Sequence, residues 1–288
     1  MNNTKKKSPI SWVPTAYFAM GLPFVVLNMV TVLMFKGLEV DDKLITFWTS
    51  LILLPWTLKP LWSPFLELFR TKKFFVIVTQ LITGVTFGLV AFALNLSHFF
   101  SISIALLAIV AFSGATHDIA CDGVYMSELS NEDQAKFIGW QGAFYNIAKI
   151  LATGGLVYLA GYFIELNADA GLLTANKRAW MIILLILSVT MILLGIYHLF
   201  ALPSTQSASS KKTLRSNKEV MKELGQVLMD FFRKTHITYY IFFIILYRFA
   251  EGFVMKIVPL FLKADREMGG LGLNEKEIGL YYGTYGAA

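Results

Sequence analysis

The stretch Ser101–Tyr125, SISIALLAIVAFSGATHDIACDGVY, decides the fold. About 20 residues of helix cross the hydrocarbon core of a bilayer, and this run is long enough to do so. Near its end stand Asp118 and Asp122, with His117 and Cys121 beside them. A carboxylate inside such a run is costly, and it normally faces a water-filled path or a partner rather than lipid. At i and i+4 the two aspartates share one helical face. The spacing points to a membrane machine that moves something, protons included. His117 and Cys121 do not add a metal site, because two adjacent pairs on one helix rarely converge on an ion.

Composition agrees. Hydrophobic residues make up 56% of the 288 positions and charged residues only 15%, with a mean hydropathy of +0.60. Soluble domains carry about 25% charge, so the deficit indicates a membrane protein. The net charge of +6 does not indicate a nucleic-acid partner, because the basic residues cluster in short segments between apolar runs. One cysteine excludes an intrachain disulfide and a cysteine-built zinc cluster. Lys5, Lys6 and Lys7 precede an apolar stretch, as in a signal peptide. That stretch, Trp12–Phe35, is too long for one and is read as the first span.

Seven complete spans are expected: Trp12–Phe35, Leu44–Phe69, Phe74–Leu96, Ser101–Tyr125, Phe137–Ile164, Ala179–Leu202 and Ile237–Leu262. An eighth begins at Ile278 and reaches only to Ala288, so a fragment lacking later helices is expected. With the N-terminus inside, 14 of the 25 Lys and Arg residues fall on the cytoplasmic side and seven on the other. That bias sets the N-terminus in the cytoplasm. Pro203–His236 is a polar cytoplasmic loop, which divides the chain into an N-terminal half (1–202), the loop (203–236) and the start of a C-terminal half (237–288). Within the loop, Asn217–Phe232 has the spacing of an amphipathic surface helix.

A connector recurs. Gly37-Leu38-Glu39-Val40-Asp41-Asp42 follows the first span, and Gly270-Leu271-Gly272-Leu273-Asn274-Glu275 follows the seventh. Each reads as a glycine turn, an Asx N-cap and an acidic first turn. The recurrence predicts two six-helix halves related by a parallel repeat.

Other charges lie within the spans. Lys59 stands among Pro55, Pro60 and Pro64, each of which removes a helix hydrogen bond and bends its helix. Lys149 falls near mid-membrane and should face a cavity or a carboxylate. Arg248 and Glu251 are three apart on one face, which suits a site or an internal pair equally. Asn28 lines a path or makes a helix-packing hydrogen bond. Asp118 should face the bundle interior within reach of Lys59 or Lys149.

Four motifs in order carry a family resemblance: Trp62-Ser63-Pro64-x-x-Glu67; Asp118-Ile119-x-x-Asp122; Tyr145 followed by Gly154-Gly155-Leu156; and Tyr247-Arg248-x-x-Glu251 with Glu277-Ile278-Gly279-Leu280. Together they resemble the AmpG-type muropeptide permeases of the peptide–acetyl-coenzyme A–drug transporter family, within the major facilitator superfamily. Departures are Asn146, where that family often has arginine, and glutamate instead of aspartate at 67 and 251.

The resemblance implies an all-α, polytopic membrane bundle of major facilitator type, monomeric in the bacterial inner membrane. It implies a proton-coupled symporter that imports cell-wall muropeptides, with no cofactor. Asn28, Gln141, Tyr145, Lys149 and Arg248 would bind substrate. Asp118, Asp122 and Glu251 would couple protons. Lys59, Glu67 and Arg70 would gate the loop after helix two. A siderophore, an acyl-coenzyme A or a drug is the alternative cargo, and a receptor or scaffold is the alternative class. No His-Glu-x-x-His, Gly-x-Ser-x-Gly or phosphate-binding loop argues for an enzyme.

Overall fold

The computed structural model describes residues 7–63, 66, 71–203, 222, 225–226, 229–230 and 232–286, but not the side chains of Arg248 and Glu251. Six of its helices are long and apolar enough to cross a membrane: α1 Pro9–Gly37, α2 Asp42–Leu61, α3 Lys72–Ala93, α4 Phe99–Glu128, α5 Asn131–Leu166 and α6 Leu172–Ala201. Then come α7, Ile237–Lys263, and α8, which opens at Glu275–Glu277 and continues as a π-helix over Ile278–Tyr285. No strand occurs among the described residues, and the chain is an all-α, multi-pass membrane protein. The amphipathic helix expected over Asn217–Phe232 falls mostly outside the described residues, as do Glu67 and Arg70.

Most helices overrun the apolar stretches that announced them, because polar caps rather than the membrane boundary end them. The Thr71 side chain accepts from Phe74 N, and the Ser130 side chain accepts from Asp133 N, where Glu132 and Asp133 complement the helix dipole. Both connectors carry the expected Asx caps. Asp41 accepts from Lys43 N and Leu44 N, and Asn274 forms a reciprocal capping box with Glu277. The glycine turn needs a correction in the first connector. Gly37 is still helical, and the left-handed residue is Glu39 at φ 61°. Gly37 is instead selected by contact, since a Cβ there would lie 2.4 Å from Asn176 Oδ1. In the second connector Gly269 and Gly272 do take positive φ.

The distribution of polarity is inverted relative to a soluble protein. On α3, Ile82, Val85, Leu89 and Phe92 point outward, while Thr79, Gln80, Thr83 and Thr86 are buried. On α6, Val189, Leu193 and Phe200 are exposed, while Asn176, Ser188 and His198 are buried. An apolar exterior over a core that also buries hydrogen-bonding side chains suits lipid, where backbone and side-chain polar groups must be satisfied internally.

Helix α1 is the axis of the bundle. It packs against α4, α5, α6 and the C-terminal part of α7, and nearly all of it is buried. Successive helices run antiparallel and leave two polar faces. At the Asp41 face, the end of α1 meets the end of α7 and the start of α6, since Lys263 and Asn176 both crowd Gly37. At the Ser130 face, Tyr197 of α6 donates to Ser11 O and Lys73 of α3 donates to Leu202 O. Helices α5 and α8 cross with their backbones in contact. A Cβ on Gly283 would lie 2.1 Å from Thr153 O, and one on Gly279 would lie 2.5 Å from Tyr158 N. Small residues permit such close approach between membrane helices.

Candidate functional site

Asp118 is buried between α2 and α4 with one carboxylate oxygen doubly engaged. Lys59 Nζ donates to its Oδ2 at 2.7 Å and Trp56 Nε1 donates to the same atom at 2.8 Å. Among the described residues, its Oδ1 has no hydrogen-bond partner. Of the two cations expected near it, Lys59 is the one that arrives. The sequence arranges this locally. Pro55 and Pro60 break α2, which turns at Ile52–Leu53 and tightens to a 3₁₀ turn over Lys59–Leu61. The broken helix lets Trp56 and Lys59 converge on one point. Gly114, one turn before Asp118, makes room for the indole, because a Cβ there would lie 2.8 Å from Trp56 Cζ2. The Phe24 ring meets the other side of Trp56 edge-on at 5.2 Å.

Asp122 occupies the next turn and accepts from Tyr17 OH at 2.8 Å. Unlike Asp118 it is open to its surroundings. On α5, Gln141, Tyr145 and Lys149 recur every four residues along one face, the first two half-buried. Tyr145 packs against the cluster that holds Tyr17, Cys121 and Tyr125, and its ring touches the space beside Gly21. Of the two settings expected for Lys149, a cavity or a carboxylate, the second is not found. The lysine is exposed and forms no ion pair or side-chain hydrogen bond among the described residues, so no carboxylate neutralises it. The cation that pairs with Asp118 is Lys59.

Asn28 is buried, and its amide donates back to Phe24 O at 3.1 Å. That is a helix-internal bond, and it does not present the side chain to an open path. Arg248 and Glu251 lie on α7 one turn apart, in a stretch whose apolar neighbours Tyr247, Phe249 and Phe253 are all exposed.

Two polar clusters escaped the sequence reading. The first links four helices: Thr15 on α1 contacts His198 Nε2 at 2.9 Å, His198 Nδ1 contacts Gln80 Oε1 at 2.9 Å, and Gln80 Nε2 contacts His117 Nε2 at 3.0 Å. With the amide so placed, glutamine donates to His117 Nε2 and accepts from His198 Nδ1, which puts a hydrogen on Nδ1 of each ring. His117 is therefore a core partner of Gln80 on α3. The second cluster is Lys256 on α7, which donates to the main-chain oxygens of Asn28 and Thr49. The only sequence signal for either was a polar residue in an apolar run, a signal that names no partner.

An apolar cavity of about 530 Å³ also lies between α2 and α4, lined by Trp48, Leu51, Pro55, Phe100, Ile104 and Ala108. None of the charged residues borders it, so the chemistry lies elsewhere. No family model, curated protein or solved structure matches this chain, and its function is therefore argued from the chemistry of Asp118, Lys59, Trp56, Asp122 and Tyr17.

Proposed function

We propose that the chain is a proton-coupled secondary transporter of major facilitator type, seated in a bacterial inner membrane with its N-terminus in the cytoplasm, and that it imports anhydromuropeptides. The observation that carries this reading is Asp118: a buried carboxylate with one oxygen fixed by Lys59 and Trp56 and the other oxygen unpartnered. Protonating it removes the charge that holds Lys59, so the α2–α4 contact weakens when a proton binds and re-forms when it leaves. Asp122, bound to Tyr17 and open, is the group through which the proton enters. A cargo with carboxylates and sugar hydroxyls suits the α5 face, where Lys149 offers a cation with no partner among the described residues and Gln141 and Tyr145 offer neutral hydrogen bonds.

The test is uptake of labelled anhydromuropeptide by right-side-out membrane vesicles under an imposed pH gradient. Accumulation should depend on the gradient. Asp118→Asn should abolish it while preserving exchange between labelled and unlabelled substrate. Without gradient-dependent accumulation in the unaltered protein the proposal fails. Normal accumulation by Asp118→Asn removes the aspartate from the coupling step.

A further inference from the structure

Lys256 stands 5% exposed in the interior, yet no ion pair neutralises it among the described residues. Its ammonium is held by main-chain oxygens alone, Asn28 O at 3.0 Å and Thr49 O at 3.3 Å. Both oxygens sit where a helix is irregular. Asn28 lies inside the widened π turn Val26–Val30 of α1, where Thr31 N reaches back to Val26 O. Thr49 precedes the break in α2. In a regular helix Leu53 N would bond Thr49 O, but here it turns to Ser50 O at 3.2 Å. The break accompanies Pro55, which has no N–H to offer the Leu51 carbonyl and whose ring crowds that carbonyl, so the turn before it cannot stay regular. Thr49 also brings a buried hydroxyl with no partner. Carbonyls freed at helix interruptions are cation ligands in membrane proteins, and here the cation is supplied by the chain itself.

The attachment has a direction. Lys256, Leu260 and Lys263 share one face of α7, at i, i+4 and i+7. Leu260 joins the apolar core, and Lys263 pairs with Glu275 at the mouth of α8. The preceding two-thirds of α7, from Tyr239 to Val254, is exposed at Tyr240, Phe243, Leu246, Tyr247, Phe249 and Phe253. Among the described residues, the helix is thus held at its Asp41-face end, while its first four turns leave these side chains exposed.

We propose that Asn28 and Thr49 form a carbonyl site for a primary ammonium, filled by Lys256, and that its occupancy keeps α7 closed against α1 and α2 at the Asp41 face. The positive charge is required, because a neutral side chain of the same length offers the carbonyls no comparable attraction in a medium of low dielectric. Closure is independent of what is carried. If uptake of muropeptide fails and the latch is found, only the cargo assignment falls.

The test uses pulsed electron paramagnetic resonance distances between spin labels on the two connectors, at Glu39 and Met268, with Cys121→Ser removing the native thiol. The unaltered chain should give one short distance. Lys256→Met and Lys256→Gln should each add a second, longer population. In Lys256→Ala, added methylammonium should restore the single short distance, whereas tetramethylammonium, which has no N–H to donate, should not. Should Lys256→Met not fold, Lys256→Ala prepared with methylammonium and then freed of it takes its place. An unchanged distance in Lys256→Met, or in Lys256→Gln, overturns the proposal, and so does an open Lys256→Ala that methylammonium leaves open.

Discussion

Replacing Lys59 by methionine should destabilise the protein through Asp118 rather than through lysine itself. The pair is short, 2.7 Å, and the Asp118 side chain is 12% exposed against 27% for Lys59. Breaking a fully buried pair by removing one partner costs about 3–5 kcal/mol, chiefly because a charge is stranded. Lys59 retains some screening by its surroundings, which puts Lys59→Met at the low end, about 3 kcal/mol. Asp118→Asn should cost less, about 1–2 kcal/mol. Its amide oxygen still accepts from Trp56, and the freed lysine has room to turn outward. The double variant strands no charge and should resemble Asp118→Asn alone. Equilibrium unfolding in mixed detergent micelles, followed by far-ultraviolet circular dichroism, gives the double-mutant cycle. The expected coupling is about 3 kcal/mol, far above the ~0.5 kcal/mol at which sites count as independent. Additive single effects would refute the claim that the two side chains act as one unit.

Gly283→Ala should destabilise by about 1–3 kcal/mol as the α5–α8 backbones are forced apart, while Gly139→Ala, with open space around it, should be neutral or stabilising by about 0.5–1 kcal/mol; the same unfolding assay separates them. Gln80→Leu strands two buried imidazole nitrogens at about 1–3 kcal/mol each. Converting His117 and His198 to apolar residues in the same chain should recover much of that loss, and no recovery would argue against the linked chain of bonds. For orientation, a cysteine at Ala168, in the α5–α6 connector, should react with an impermeant maleimide on intact cells. One at Glu132, on the opposite face, should react only after permeabilisation, and the reverse pattern would overturn a cytoplasmic N-terminus.

Lone polar residues inside apolar runs showed which positions matter, but not what they meet. Asp118 was found from its position alone, and two intramembrane lysines, Lys59 and Lys149, were its expected partners. Choosing between them required the break in α2, which follows from Pro55 and Pro60 but whose direction depends on packing against Gly114 and Phe24. The helix caps at Asp41 and Asn274 were legible because capping is local chemistry within four residues. Glu39 in the left-handed turn was not, since glycine is the usual occupant and Gly37 stood two residues away. Gln80 joins helices α3, α4 and α6 through side chains 37 and 118 residues apart in sequence. No periodicity encodes such a link. Lys256 was hardest to read, because its ligands are main-chain oxygens and every residue has one.

The two polar systems therefore differ in kind and in place, and that difference bears on how the bundle works. Asp118 is held by side chains of α2, toward the Ser130 face, and its strength depends on a proton. Lys256 is held by backbone of α1 and α2, toward the Asp41 face, and its strength depends on the helix irregularity that exposes those oxygens. Both, however, use the same interrupted helix. Thr49 lies just before the α2 break and Trp56 and Lys59 lie just after it. If α2 were a straight helix, Leu53 N would reclaim Thr49 O and Lys59 would leave the line to Asp118. A proton on Asp118 that frees Lys59 thus removes one of the two anchors that keep α2 bent. Pro55 makes full straightening costly, by about 3 kcal/mol in a helix interior, so a rearrangement of α2 would pivot about the break at Ile52–Leu53. The segment after the break answers to Asp118, and the segment before it carries the carbonyl that Lys256 grips. If both proposals hold, that hinge is the path by which a charge change near one face would reach the latch near the other.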